Sequence, residues 1–421
     1  MSTSPAAALP VLSTRTLVLM AIACGLCAGA NYFNQPLLHS MAQDLGVSEA
    51  QAASTVTLAQ LSYALGLLLL VPLGDMLERR RLVLSLMVLA ATGMLLSGLS
   101  GSTQQFTLLV VGTAMTGLFS VAAQVLVPMA ASLAAPGTGG RAVGLVMSGL
   151  LVGILAARSV AGLLSGLGGW NAVYWVGAVA TLAMAALLAR GLPTARPATR
   201  LGYGQVLRSL GSLLRQHPRL RSRALIGGLG FATVSVLFST MALLLAGPAY
   251  GLSDMQIGLI GIVGIAGALM ANMTGRLADH GKEQSATLAG ALLMLLGWAF
   301  LWLGGSSLWL FLLGFLVVDG ALQALHISNQ SVVYALAPEA RSRLNAVYMT
   351  TYFIGAASGS ALGAWAWLHG GWGSVSLAGG ALGLCTLAVV CWDRGLAAKH
   401  WPAKVKGTAV FFAPLSRART T

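Results

Sequence analysis

The sequence predicts an all-α membrane protein with twelve transmembrane helices in two pseudo-symmetric halves of six. Only 8% of its 421 residues are charged and 57% are apolar, whereas about a quarter of the residues in a soluble domain are charged. The apolar residues form segments of about 20, the length that crosses a bilayer as a helix. The basic residues are confined to alternate connections between those segments. Together these observations exclude an ordinary soluble enzyme and place the chain in a lipid bilayer.

Six apolar segments precede a basic stretch in the middle of the chain, and six follow it. The predicted spans are residues 16–38, 51–73, 82–100, 106–132, 143–166 and 170–189, and then 224–247, 256–277, 286–304, 307–333, 345–368 and 372–392. Arg15 precedes the first span, which continues through Asn31 to Pro36 without a convincing small-residue cleavage site, so we expect an uncleaved first helix. The resulting units are an amino-terminal tail (1–15), an amino-terminal bundle (16–189), a basic linker (190–223), a carboxyl-terminal bundle (224–392) and a basic tail (393–421).

The positions of the basic residues predict the orientation of the chain. The formal net charge is +14, and of the 24 lysines and arginines only Arg158 lies within a span. All the others lie on one side, which by the positive-inside rule is the cytoplasmic side. We therefore expect a multi-pass protein of a bacterial inner membrane, with both termini in the cytoplasm. Because the charge follows the topology in this way, it does not indicate a nucleic-acid partner.

The central linker carries eight arginines and no acidic residue between Arg190 and Arg223. Apolar side chains recur within it at helical spacing; they are Tyr203, Val206, Leu207, Leu210, Leu213 and Leu214. This pattern is compatible with a helix that lies on the anionic inner leaflet. A flexible basic linker explains the composition equally well, and the sequence leaves both alternatives open.

The two halves repeat one another. Pro136 is followed five residues later by Arg141, and Pro338 is followed five residues later by Arg343. Asp75 and Asp279 each follow an even-numbered span. Duplicated six-helix halves are typical of secondary transporters, in which the substrate site lies between the halves near the bilayer midplane.

The loop after the second span carries a known family motif. Residues 71–81 read VPLGDMLERRR, and the second half repeats Gly275 and Asp279 at the same spacing. On these residues the chain resembles the major facilitator superfamily, and more loosely its bacterial drug-efflux branch. The resemblance implies alternating access and a cytoplasmic latch; the gating residues it implies are Asp75, Arg79, Arg80, Arg141, Gly275, Asp279 and Arg343. The alternative is a solvated charge cluster that only fixes topology.

The chain departs from the drug antiporters at two positions. Thr113 stands in the fourth span where those proteins carry an arginine, and residues 149–158 contain no proline where they carry a Gly-Pro pair. These departures weaken the case for proton antiport and leave alternating access unaffected.

One acidic residue, Asp319, falls near the centre of a span. A carboxylate at that depth is expected to be protonated, paired or exposed to a watery cavity. Gln323, His326 and Gln330 follow at intervals of four, three and four residues, so all four side chains share one stripe of the helix. We hypothesise that Asp319 binds the coupling proton or a cationic substrate, with His326 as a proton relay or hydrogen-bond partner. The alternative is a buried polar network that holds the helix in place.

Arg158 is the only basic residue within a span. Its predicted depth differs from that of Asp319 by ~6 Å at 1.5 Å per helical residue, so the two could form an ion pair between the halves. It could instead bind an anionic substrate or cap backbone carbonyls. Neutral candidates for substrate contact are Asn31, Asn34, Gln35 and Gln124.

The sequence therefore predicts a secondary transporter and not an enzyme. We expect proton-coupled efflux of drug-like or toxic small molecules; the alternatives are import or facilitated movement of a sugar or amino-acid-like metabolite, and a membrane sensor that does not transport. The six scattered histidines and the lack of a phosphate-binding Gly-Lys-Ser or Gly-Lys-Thr loop give no reason to expect a metal, ATP or another cofactor. The expected partners are the substrate, protons and the lipid bilayer, and a chain with two halves is expected to act as a monomer.

Overall fold

The computed structural model describes residues 13–134, 138–194, 202–261, 283–337 and 341–400, and all regular structure in these ranges is helical. The α-helices are α1 (Thr14–Ala30), α2 (Leu38–Leu45), α3 (Glu49–Leu69), α4 (Arg79–Thr103), α5 (Phe106–Phe119), α6 (Ala122–Leu133), α7 (Gly139–Gly168), α8 (Ala172–Gly191), α9 (Tyr203–Gln216), α10 (Pro218–Phe238), α11 (Met241–Ala246), α12 (Asp254–Ile260), α13 (Glu283–Leu303), α14 (Leu308–Leu336) and α15 (Arg341–His400).

The described ranges contain ten helical segments that are long and apolar enough to cross a membrane. The last, Arg343–Ala397, consists of two helices, because the backbone is not helical at Gly370 and Gly371. Gly371 has a φ of 55°, which glycine adopts without a steric penalty. Most of the predicted eighth span lies outside the described residues. The all-α fold class predicted from the sequence is confirmed.

The first span of each half is broken at a similar depth. In the amino-terminal half α1 ends at Ala30, and the 3-10 turn Gln35–Leu37, with its proline, leads into α2. In the carboxyl-terminal half α10 ends at Phe238 and α11 begins at Met241. A proline supplies no backbone N–H and therefore interrupts a helix. The first break leaves the polar residues 31–35 in the interior of the bundle, where they are buried.

The two halves meet along two pairs of helices, α3 with α15 and α7 with α12. The second contact is close, because a Cβ atom on Gly162 would lie 2.4 Å from the carbonyl oxygen of Asp254. Ser159 also donates a hydrogen bond of 2.9 Å to the carbonyl oxygen of Gly258. Small residues thus allow the two backbones to approach within the membrane.

The linker contains a helix, α9, whose apolar face packs on the bundle. Val206, Leu210 and Leu213 are buried, and the Tyr203 hydroxyl donates a hydrogen bond of 2.8 Å to the carbonyl oxygen of Leu69. Arginines on the other face, such as Arg208, are exposed. The helical alternative for the linker agrees with this structure, but the buried face of α9 covers protein and not lipid.

A buried ionic cluster joins the start of α10 to the end of α15. Asp393 lies 2.6 Å from a terminal nitrogen of Arg223 and 3.3 Å from one of Arg219. Ser222 and Gln284 also donate hydrogen bonds to its carboxylate. The sequence pattern places these arginines in the cytoplasmic linker, whereas in the structure α10 begins at Pro218 and carries them into the bundle.

We predict that Asp393→Asn destabilises the protein. The substitution leaves two buried guanidinium groups without a negative partner, and breaking a buried ion pair costs about 3–5 kcal/mol. The measurement is the melting temperature of the purified protein in detergent. The matched control is Arg81→Gln, which removes an exposed ion pair with Glu78, in which the Arg81 side chain is 90% exposed, and should cost about 1 kcal/mol or less. Equal melting temperatures for the two variants would contradict the prediction.

Candidate functional site

A central cavity of about 200 Å³ lies between the two halves. Its polar and aromatic lining comes from both halves and consists of Asn31, Tyr32, Tyr63, Gln124, Arg158, Phe231, Phe238, Asp319, Gln323, His326, Gln330, Tyr334, Asn345, Tyr352 and Phe353. The cavity thus contains both charged residues that the sequence places within spans.

The polar stripe of α14 faces this cavity. Asp319, Gln323, His326 and Gln330 all line it, as their helical spacing predicts. Asp319 is only 8% exposed, and within the described part of the chain neither of its carboxylate oxygens accepts a hydrogen bond. The Nδ1 atom of His326 lies 3.0 Å from the Tyr348 hydroxyl, so the ring is held against α15. Asp319 is therefore a buried carboxylate in need of a proton or a donor.

Arg158 is held by neutral groups from both halves. Its side chain is 5% exposed, and its Nε atom donates a hydrogen bond of 2.6 Å to Gln35. The guanidinium carbon lies 3.9 Å from the centre of the Phe238 ring and 4.8 Å from that of Tyr32. A guanidinium over an aromatic face gains electrostatic stabilisation, most of all when it is desolvated. The two terminal nitrogens have no hydrogen-bond partner among the described residues and are the free donors of the site.

Arg158 and Asp319 interact electrostatically but do not form an ion pair in the described structure. The first belongs to α7 and the second to α14, so the two charges come from opposite halves. Arg158 can therefore still bind an anionic group, and Asp319 can still bind a proton or a cationic group.

The neutral candidates from the sequence have different surroundings. Asn31 and Gln124 line the cavity, and the side-chain oxygen of Asn31 has no donor. Gln35 reaches the site through its bond to Arg158. Asn34 instead donates a hydrogen bond of 3.0 Å to Thr55 and lines a separate, smaller cavity.

Aromatic residues form one wall of the site, and sequence reasoning missed its two phenylalanines, Phe231 and Phe353. Phe231 stacks on Tyr352 with ring centres 4.2 Å apart, and Tyr63 packs on Phe353 with centres 4.4 Å apart. The only available signal was the tyrosine pair of α15, because an isolated aromatic residue in an apolar span is common in any membrane helix.

The end of the bundle that carries Asp44, Glu49 and Asp254, here termed the acidic end, is closed. Asp254 of α12 accepts hydrogen bonds of 2.6 Å from Ser40 and from Ser165, which belong to the other half. Glu49 accepts one of 2.8 Å from the Trp367 indole, also across the halves. A polar depression of about 970 Å³ lies outside these bonds and shares no lining residue with the central cavity.

At the opposite end, here termed the basic end, a second cavity of about 360 Å³ lies beside the central one, and Gln124 lines both. Arg79 from one half and Arg343 from the other line this second cavity, and Val206 and Leu210 of α9 also contribute. The second cavity thus lies between the halves at the basic end.

The gating residues that the resemblance implies lie at the basic end or outside the described structure. Arg79 donates to the carbonyl oxygen of Gly74 at 2.9 Å and to the Ser132 hydroxyl at 3.2 Å. Arg80 donates to the carbonyl oxygen of Ala189, and Arg141 is exposed. Asp75 ends the 3-10 turn Val71–Asp75, and its side chain is not among the described ones. Gly275 and Asp279 lie outside the described residues.

No group of three His, Cys, Asp or Glu residues within the described ranges could hold a metal ion. The site is built from a carboxylate, a guanidinium, amides and aromatic rings, which are groups that bind and release organic molecules and protons.

Comparisons with known proteins show which family has this sequence and architecture. The family model described as Major Facilitator Superfamily matches residues 20–318. The chain is 51% identical over 384 residues to YgaY, an uncharacterized transporter of Escherichia coli O157:H7, with 91% of this chain and 96% of that protein covered. It is 28% identical over 284 residues to a chloramphenicol resistance protein of Streptomyces lividans, with 67% and 71% covered. A crystal structure of the nucleoside transporter NupG shares the fold, with a TM-score of 0.73, 14% identity, and 90% of this chain and 99% of that one covered. The chain therefore belongs to the Major Facilitator Superfamily of membrane transporters.

Proposed function

We propose that this protein exports small amphipathic or toxic compounds across the bacterial inner membrane in exchange for protons. The observation that carries the proposal is Asp319, a buried carboxylate in a cavity between the two halves, whose Oδ2 atom has no hydrogen-bond donor among the described residues. Such a group exchanges a proton for a cationic substrate group more readily than a carboxylate already held by a salt bridge, because no existing partner has to be displaced.

The geometry supports alternating access. Hydrogen bonds across the halves hold the acidic end together, and a second cavity between the halves lies beside the central one at the basic end; rocking of the halves would reverse this arrangement. The bonds that have to break at the acidic end include the hydroxyl and indole hydrogen bonds to Asp254 and Glu49. Hydrogen bonds to charged groups contribute about 1.5–3 kcal/mol each, so water can replace them at modest cost.

Proton coupling follows from competition at one carboxylate. When Asp319 is protonated it is neutral, and the empty cavity can change the side of the membrane to which it opens. When Asp319 is ionised, it binds a cationic group of the substrate. Because the proton and the substrate exclude each other at this site, they move in opposite directions. With the basic end in the cytoplasm, as the positive-inside rule predicts, an inward proton gradient drives export. The similarity to a chloramphenicol resistance protein of Streptomyces lividans supports the same direction.

Import of a metabolite is the second candidate function. The size of the cavity favours it, because about 200 Å³ is less than the roughly 300–1,000 Å³ typical of sites for drug-sized ligands. Both candidates use the same cavity and the same proton site. The direction in which protons move relative to the substrate distinguishes them, because export by exchange moves the two in opposite directions and proton-coupled import moves them in the same direction.

We predict that Asp319→Asn abolishes substrate-induced proton movement. The amide has the same shape but does not bind a proton at physiological pH, so the exchange loses its proton carrier. The measurement is the pH inside proteoliposomes when a panel of cationic dyes, sugars and amino acids is added. Asp44→Asn is the matched control, because Asp44 is bonded to Trp170 of its own half and lies outside the cavity. Proton movement in Asp319→Asn at the native rate would refute the proton role.

We predict that Asp254→Ala shifts the protein toward a state that is open at the acidic end. Two charge-assisted bonds across the halves are lost, which changes the equilibrium by roughly tenfold or more. The measurement is the rate at which a membrane-impermeant thiol reagent, added from the acidic side, labels a Gln323→Cys background. Ser253→Ala is the control, because Ser253 caps its own helix. An unchanged labelling rate would show that Asp254 does not hold this end closed.

A further inference from the structure

We infer that the central site binds a zwitterion of amino-acid size, with its carboxylate on Arg158 and its ammonium group on Asp319. The inference rests on the proposed function and names the substrate class of the same cavity. It starts from two opposite charges that share one small cavity and yet remain without an ion pair between them.

The Arg158 side is built to bind an anion. Gln35 uses the Nε hydrogen, and the rings of Tyr32 and Phe238 cover the faces of the guanidinium. These contacts fix the plane of the group and leave both terminal nitrogens without partners among the described residues. A fixed guanidinium with two free N–H groups matches a carboxylate in bidentate geometry.

The Asp319 side offers acceptors for an ammonium group. Its Oδ2 atom is buried and has no donor in the described structure. The side-chain oxygen of Asn31, which lines the same cavity, is also buried and without a donor among the described residues. An ammonium group has three N–H donors and no acceptor. A buried acceptor without a donor is costly, so an ammonium group that enters the cavity gains more there than it would beside acceptors that are already satisfied.

Substrates with a single charge fit this cavity less well. A simple cation that binds Asp319 also meets the field of Arg158, and a simple anion that binds Arg158 meets the field of Asp319. In either case one protein charge stays buried without a partner, which is strongly unfavourable. A zwitterion satisfies both charges and adds no net charge to the cavity.

The remaining walls indicate an apolar or aromatic side chain on the substrate. Phe231, Tyr352 and Phe353 form one continuous aromatic contact, with Phe231 at 4.2 Å from Tyr352 and 5.5 Å from Phe353 between ring centres. A volume of about 200 Å³ leaves room for a molecule smaller than most drugs.

This assignment makes transport electrogenic. A proton on Asp319 is exchanged for the ammonium group of the substrate, while the carboxylate of the substrate binds Arg158. One proton enters for each zwitterion that leaves, so one positive charge moves inward per cycle. Both the pH gradient and the membrane potential then drive export.

The test uses four charge forms of one scaffold: phenylalanine, its amide as the cation, its N-acetyl derivative as the anion and 3-phenylpropionamide as the neutral form. Affinity is measured on the purified full-length protein, and proton movement is measured in proteoliposomes; the leucine series is run in parallel. We expect the zwitterion to bind at least roughly tenfold more tightly than any other form, because each buried charge pair contributes to binding.

Two variants test the contacts. In Arg158→Gln the zwitterion should bind no better than its amide, and in Asp319→Asn no better than its N-acetyl form. A merely structural role would weaken all four forms alike and would leave their order unchanged. Arg221→Gln, an exposed arginine of α10, is the control and should keep the native order.

Three results would decide the matter. The inference would be overturned if the cation bound as tightly as the zwitterion, or if the anion did. Absence of binding by all forms of both series, together with proton-coupled export of another compound, would overturn it and leave the proposed function intact. Binding of the zwitterion with the expected preference but without proton movement would support the inference and overturn the proton-coupled function.

Discussion

The burial of Arg158 between two halves of a membrane protein is the constraint on which the site depends. An ionised side chain within hydrocarbon has to be compensated, and here the compensation comes from Gln35, Tyr32 and Phe238. Gln35 and Tyr32 reach the guanidinium because α1 ends at Ala30, and Phe238 reaches it from the end of α10. The breaks in the two spans thus bring Gln35 and the rings of Tyr32 and Phe238 to the buried guanidinium.

The two buried charge systems of the protein differ in how they are compensated. Asp393 is bonded to Arg219 and Arg223 within one half, so no motion between the halves disturbs the cluster. Arg158 and Asp319 belong to opposite halves and form no ion pair with each other in the described structure. A cluster of opposite charges within one half stabilises that half. Arg158 and Asp319, in contrast, remain able to bind a charged ligand, and Asp319 to bind a proton.

The sequence predicts the elements that depend on local pattern. Segment length and the one-sided basic residues indicate the spans, and helical spacing groups Asp319, Gln323, His326 and Gln330 on one face. Contacts over long chain distances leave no such signal. The bond of Gln35 to Arg158 and that of Asp393 to Arg223 join residues 123 and 170 positions apart, and an apolar span gives little indication of which face meets which neighbour. The aromatic wall and the hydroxyl bonds of Asp254 could not be predicted for the same reason.

The contacts between the halves suit a rocking motion because they change in character along the interface. Near the cavity the halves touch through side chains such as Tyr63 and Phe353, with ring centres 4.4 Å apart, and dispersion contacts of this kind tolerate small rotations. At the acidic end the described contacts include hydrogen bonds to Asp254 and Glu49, which are lost completely once the donors move beyond about 3.5 Å. In the proposed alternating-access cycle the acidic end would therefore act as an open-or-closed contact and the centre as a pivot, so a small energetic preference at the central site would decide which end is open.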